Sequence, residues 1–125
     1  ISDLYREGYI VYSNEAKARV LQVEENVLEK YGAVSSQVAS QMAEGAAETA
    51  DVDVAIATTG IAGPDGGTAE KPVGLVYIGC YVDGARYVCE NHFEDQYLLH
   101  HYKLQMSLQI MPMQLILKQL QLHWK

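Results

Sequence analysis

Two short stretches hold residues whose types could carry out chemistry. YSNEAK, residues 12–17, ends in Lys17, and TTGIAGPDGG, residues 58–67, contains four glycines. A lysine in the first turn of a helix is favoured as a neutral amine by the positive end of the helix dipole and by partial burial. A neutral amine can act as a general base. The residues alone also permit the other interpretation, in which Lys17 is a solvated helix lysine.

The glycine-rich stretch does not match the common nucleotide-binding motifs. Gly60-x-x-Gly63 lacks the G-x-G-x-x-G spacing, and Gly67 is followed by Thr68 rather than by the lysine of a P-loop. A glycine-rich loop after a buried strand can offer backbone N–H groups to a ligand. Pro-Asp-Gly at 64–66 is equally typical of a tight turn in which the aspartate bonds its own backbone. Both interpretations remain open.

The histidines and cysteines show no metal-binding spacing. Cys80 and Cys89 are nine residues apart, and we expect two reduced thiols. The four histidines are predicted to be surface or partly packed imidazoles: His92, His100, His101 and His123. The sequence therefore predicts neither a metal site nor another cofactor.

Composition narrows the class of protein. The 125 residues, 49% hydrophobic and 20% charged, are enough for one globular domain over residues 1–125. A net charge of −7 argues against a nucleic-acid partner and leaves room for a small pocket that takes an anionic metabolite. No run of 18 apolar residues predicts a membrane span, and no secretory pattern opens the chain, so we predict a cytoplasmic protein. The chain begins at Ile1 rather than at methionine, and we expect it to be part of a longer protein.

The predicted elements alternate between strand and helix. Apolar and β-branched runs predict strands at 9–12, 53–58, 73–82 and 85–93, the last two joined by an Asp83-Gly84 hairpin turn. Helical periodicity and capping residues predict helices at 15–21, 24–31 and 35–49. Residues 94–125 favour a helix that Pro112 kinks or breaks. This order predicts an α/β domain with a mixed sheet.

Three stretches together resemble a known family. YSNEAK (12–17), LEKYGAVSSQVASQMAEGA (28–46) and TGIAGPDGGTAEKPVGLVYIG (59–79) are similar to the C-terminal domain of CinA, the competence/damage-inducible proteins. The same domain occurs alone as nicotinamide-nucleotide amidohydrolase. The resemblance covers about residues 1–93. It implies a three-layer α/β/α sandwich, deamidation of nicotinamide mononucleotide to nicotinic acid mononucleotide and ammonia, and no metal.

The resemblance also implies roles for individual residues. Lys17 corresponds to the catalytic base, and Tyr12 lies in the family's active site. Substrate-binding positions are implied at Ser13, Asn14, Thr59, Gly60, Ile61, Ala62 and Gly63. The only partner implied is the small-molecule substrate, with a homodimer as an expectation from the family and from the hairpin edge.

Two departures from the family pattern bear on activity. The family's nucleophilic serine lies in an A-E-S-C-T-G-G motif about 30 residues before YSNEAK, and no serine of this sequence matches it. We therefore name no nucleophile and expect about 30 or more further residues upstream in the domain. The family's Gly-x-Arg motif, whose arginine reaches the substrate, is also missing after Phe93, and the tail at 94–125 is divergent. The alternative hypothesis is a non-catalytic nucleotide-binding or interaction domain.

Overall fold

The computed structural model describes residues 6–93, which form three helices followed by three strands. The helices and strands are α1 (Asn14–Leu21), α2 (Glu25–Tyr31), α3 (Ser36–Ala50), β1 (Val54–Gly60), β2 (Leu75–Val82) and β3 (Ala85–His92). The predicted α/β fold is confirmed. The predictions for the helical tail, Pro112 and the last three histidines fall on residues 94–125, outside the described range.

The three strands form one sheet in the order β1-β2-β3. Both pairings are antiparallel, with Ile56 opposite Cys80 and Ile78 opposite Cys89. The parallel neighbour that a mixed sheet requires is not found among the strands of residues 6–93. The predicted hairpin is present: Asp83 and Gly84 have φ of 45° and 90°, the positive values of a type I′ turn.

The predicted strand at residues 9–12 is wrong, because this stretch has no regular secondary structure. Its apolar and aromatic residues suit a strand, but a strand also needs hydrogen bonds to a neighbour. Burial accounts for only part of the apolar pattern, because Ile10 and Tyr12 are exposed. Val11 is buried in the helical side of the core, and Tyr9 packs partly against the same cluster.

Serine caps determine where the longest helices begin. Ser13 caps α1 by accepting a hydrogen bond from Ala16 N at 3.1 Å, and Ser35 caps α3 by accepting one from Val38 N at 3.2 Å. Gln22 and Asp51 end these helices in left-handed conformations. The longest described helix, α3, has 15 residues, and within 6–93 no helix is long and apolar enough to cross a bilayer.

The main core lies between the helices and one face of the sheet. Its buried members are Val11, Leu21, Val23, Leu28, Val38, Met42, Ala43 and Ala57. Helix α3 lies directly on the middle strand, where a Cβ at Gly79 would be 2.3 Å from the carbonyl oxygen of Ala39. Helix α1 approaches α3 as closely, because a Cβ at Gly45 would be 1.7 Å from the carbonyl oxygen of Leu21. Two glycines therefore permit contacts between backbones that hold the layers together.

The opposite face of the sheet carries a second buried cluster centred on Val76, Ile78 and Cys89. Cys80 and Cys89 are both buried free thiols, as expected for reduced cysteines. Burial raises the pKa of both thiols, so neither is activated as a thiolate nucleophile. These cysteines are part of the core and not of a reactive site.

Candidate functional site

Lys17 is a buried lysine at the start of α1. The residue is only 6% exposed, and its Nζ donates a hydrogen bond to the carbonyl oxygen of Tyr12 at 2.9 Å. Burial lowers the pKa of the Lys17 amine from its ordinary value of 10.5, because the charged form loses hydration. The interpretation of Lys17 as a solvated helix lysine is therefore excluded. A buried amine with a lowered pKa and one fixed hydrogen bond has the properties that a general base needs.

Tyr12 and Ser13 of the YSNEAK stretch bond Lys17 through their backbone carbonyl groups. Tyr12 contributes its carbonyl oxygen, whereas the residue as a whole is 95% exposed. Ser13 is the N-cap of α1, and its carbonyl oxygen accepts a hydrogen bond from Lys17 N at 3.0 Å. Asn14, the first helical residue, is exposed. The cap thus fixes the turn of helix from which Lys17 projects, and the roles of Tyr12, Ser13 and Asn14 toward substrate stay predictions.

The glycine-rich loop, residues 61–74, joins β1 to β2 and is closed at its neck by two backbone hydrogen bonds. Ile61 N donates to Leu75 O at 2.9 Å, and Gly74 N donates to Ile61 O at 2.8 Å. Both backbone groups of Ile61 are therefore engaged in closing the loop. The N–H of Ile61 is therefore used in the neck, whereas its carbonyl oxygen can still accept a second hydrogen bond.

Glycines in this loop allow close packing around Val73. A Cβ at Gly63 would lie 2.5 Å from Val73 Cγ1, and a Cβ at Gly67 would lie 2.7 Å from Val73 N. Gly63 also has φ of +71°, in the region that favours glycine. The structure thus gives these two glycines a packing role. Ala62 and Gly63 are half-buried, and their predicted contact with a ligand stays a prediction.

Thr59 and Gly60 end β1 next to the connection between α2 and α3. Thr59 is 6% exposed, and its Oγ1 donates a hydrogen bond to the carbonyl oxygen of Ala33 at 2.7 Å. A Cβ at Gly60 would lie 2.8 Å from Leu75 O, so only glycine fits against β2 there. The hydroxyl proton of Thr59 is used within the protein, and its oxygen can still accept a hydrogen bond.

We expect Thr59→Val to lower the free energy of unfolding by about 1–2 kcal/mol, because it removes a buried hydroxyl donor and the hydrogen bond that the Ala33 carbonyl oxygen accepts from it. Urea denaturation followed by circular dichroism measures the change. Thr49→Val is the matched control, since Thr49 Oγ1 donates to Val20 O at 3.1 Å in an exposed position. Equal losses of unfolding free energy in the two variants would show that the buried Thr59 hydrogen bond stabilises the protein no more than the exposed Thr49 bond does.

The contacts of residues 6–93 place the predicted site residues in two groups. Residues 12–17 lie around the N-terminus of α1, and residues 59–63 lie around the end of β1 and the loop neck. Sequence analysis missed Lys71, whose Nζ donates a hydrogen bond to the carbonyl oxygen of Tyr31 at the end of α2. The two residues are 40 positions apart, so no local pattern could have indicated this contact.

The comparison with protein families decides which family this arrangement represents. The family sequence model of the CinA C-terminal domain matches residues 1–110 of the 125. The chain belongs to the CinA C-terminal domain family. The match continues past Phe93, further along the chain than the motifs noted above.

Curated relatives of this CinA domain carry the name competence-damage inducible protein. The protein from Clostridium novyi is 60% identical over 84 residues, which is 67% of this chain and 20% of that protein. The protein from Clostridium botulinum (strain ATCC 19397 / Type A) is 52% identical over 93 residues, 74% of this chain and 23% of that protein. The chain thus spans about a fifth of the length of these relatives.

Solved CinA structures share the fold. A CinA superfamily protein from Escherichia coli superposes with a TM-score of 0.68 at 38% identity, covering 78% of this chain and 58% of that one. A competence/damage inducible protein from Agrobacterium tumefaciens gives a TM-score of 0.67 at 39% identity, covering 78% of this chain and 61% of that one.

Proposed function

We propose that this CinA domain contributes to an amidohydrolase that deamidates nicotinamide mononucleotide to nicotinic acid mononucleotide and ammonia. The observation that carries the proposal is Lys17, a buried amine with a lowered pKa inside the YSNEAK motif. Such an amine can accept a proton near neutral pH more readily than an ordinary lysine. The choice of nicotinamide mononucleotide as the substrate rests on the resemblance to the family.

The proposed chemistry assigns Lys17 two proton transfers. One N–H of the amine is donated to Tyr12 O, so in the neutral form the lone pair is directed elsewhere and can accept a proton. Lys17 takes the proton from the hydroxyl of the family's nucleophilic serine, which no serine of this sequence matches, as that oxygen attacks the amide carbonyl carbon. It returns the proton to the nitrogen as the C–N bond breaks and ammonia leaves. Water then cleaves the acyl-serine ester and releases the carboxylate product.

The glycine-rich loop is proposed to form the other side of the substrate site. Its neck fixes the end of β1, where Thr59 and Gly60 lie, and its glycines keep the backbone compact around Val73. Backbone N–H groups held in this way are suited to an oxyanion or a phosphate, because they donate without needing to reorganise. The N–H groups of Ile61 and Gly74 are excluded from this role by their bonds in the neck.

The proposal predicts release of one ammonia for each nicotinic acid mononucleotide formed from nicotinamide mononucleotide. The natural full-length protein is the sample, with nicotinamide as the control substrate that lacks the ribose phosphate. Enzymatic ammonia detection and chromatography give the two products, and calorimetry gives binding. Binding of the mononucleotide without ammonia release would favour the non-catalytic nucleotide-binding alternative. The absence of both binding and ammonia release would overturn the proposal.

A further inference from the structure

The last residue of α2 and the connection to α3, together residues 31–35, contact both the end of β1 and the glycine-rich loop. Just before the loop, in β1, Thr59 Oγ1 donates to Ala33 O. Near its end, the Nζ of Lys71 donates to Tyr31 O. Within the connection, Ser35 Oγ donates to Gly32 O at 2.9 Å. Three neighbouring carbonyl groups thus accept hydrogen bonds from side chains, one just before the loop and one within it.

The Lys71 contact is built from several independent features. Residue 32 is a glycine with φ of +79°, and a Cβ there would lie 3.0 Å from Lys71 Nζ, so the ammonium lies against the connection. The accepting carbonyl belongs to Tyr31, the last residue of α2, where the negative end of the helix dipole favours a cation. The Lys71 backbone is also held: its N–H donates to Thr68 Oγ1 at 2.9 Å, and its carbonyl accepts from Thr68 N at 2.8 Å.

We propose that Lys71 is a positioning residue for the substrate site: its ammonium fixes the returning half of the glycine-rich loop to the C-terminal end of α2. The end of β1, where the loop begins, is fixed separately by Thr59. Without the Lys71 contact, the segment around Thr68 and Lys71 would keep its own turn, the neck and the packing around Val73, but would lose this bond to the end of α2. The role at the substrate site rests on the proposed function; the mechanical role does not.

Amide hydrogen exchange tests the mechanical role directly. Four backbone amides that donate hydrogen bonds report on the loop, at Ile61, Thr68, Lys71 and Gly74. In Lys71→Met, which keeps the apolar stem, we expect the amides of Thr68 and of residue 71 to exchange about tenfold faster, because a charge-assisted hydrogen bond is lost. Lys71→Arg keeps donors at this position and should recover most of the protection.

Lys30→Met is the matched control. Lys30 is an exposed lysine of α2 whose Nζ lies 5.3 Å from the Tyr31 ring centroid. The Lys30→Met substitution therefore removes a charge from the same helix end without changing a residue of the loop. It should leave loop exchange unchanged. Exchange in Lys71→Met that stays within about twofold of wild type, or an equal rise in Lys30→Met, overturns the proposal.

Calorimetry with nicotinamide mononucleotide separates this inference from the proposed function. If wild type binds, Lys71→Met should bind about tenfold more weakly while Lys71→Arg and Lys30→Met bind as wild type does. Unchanged affinity in Lys71→Met, despite faster loop exchange, overturns the role of Lys71 at the site. Absence of binding by wild type overturns the proposed substrate, and the exchange data still decide whether Lys71 holds the loop.

Discussion

Lys17→Met is expected to lower kcat/KM for deamidation of nicotinamide mononucleotide by about a thousandfold while the protein stays folded. Methionine can fill the volume of the buried lysine stem, so the helix and its cap should survive. It has no atom that can accept the serine proton. Ammonia release by the natural full-length protein measures the effect, and circular dichroism checks the fold.

Arg19→Gln is the control for this prediction. Arg19 is an exposed cation of the same helix, α1, so its replacement removes a basic side chain from α1 and leaves the buried Lys17 amine in place. It should keep full activity. A Lys17→Met protein that retains more than about a tenth of the wild-type rate would remove Lys17 from the mechanism.

The pH dependence should carry the signature of Lys17. Burial lowers the pKa of its amine, so kcat/KM should rise as the pH increases through that lowered pKa and then level off. Between the lowered pKa and 10.5, the unfolded chain binds a proton at Lys17 that the folded chain does not. The free energy of unfolding should therefore increase with pH across this window. Lys17→Met should remove this contribution, and Arg19→Gln should keep it.

Gly45→Ala is expected to destabilise the protein although alanine is the better helix former. A Cβ at this position would lie 1.7 Å from the carbonyl oxygen of Leu21, so α1 and α3 would have to separate. An overpacking cost of about 3 kcal/mol, less about 1 kcal/mol gained in helix propensity, leaves a net loss of about 2 kcal/mol. Urea denaturation measures this loss.

The sign of the change makes Gly45→Ala decisive. Glu48→Ala, at an exposed position of the same helix, is the control and should change the free energy of unfolding by less than about 0.5 kcal/mol. A gain in stability for Gly45→Ala would mean that the two backbones are not in contact. Because Lys17 lies on α1, we also expect Gly45→Ala to reduce deamidation more than its loss of stability explains.

Local signals predicted most of the described fold. The Asp83-Gly84 pair marks its hairpin because both residues need positive φ, and Ser13 and Ser35 mark helix starts because their hydroxyls bond nearby amides. The strand predicted at 9–12 failed because strand formation depends on a partner elsewhere in the chain.

The candidate site was less accessible to local reasoning. The helix dipole and partial burial together predicted a lowered pKa for Lys17, and burial is the cause that the structure shows. The glycine-rich loop was correctly placed, but the packing of Gly63 around Val73 depends on how the loop folds back. The contact of Lys71 with Tyr31 joins residues far apart in the chain and required the three-dimensional structure.

The connection at 31–35 has a consequence for genetics. Its backbone carbonyls accept hydrogen bonds from Thr59, just before the loop, and from Lys71, within it, yet its own side chains are not among the predicted substrate contacts. In a random-mutation screen for loss of function, changes at Gly32 or at the Ser35 cap would therefore cluster with those of the active centre. A map of such alleles would outline the supports of the site as well as the residues that meet the substrate.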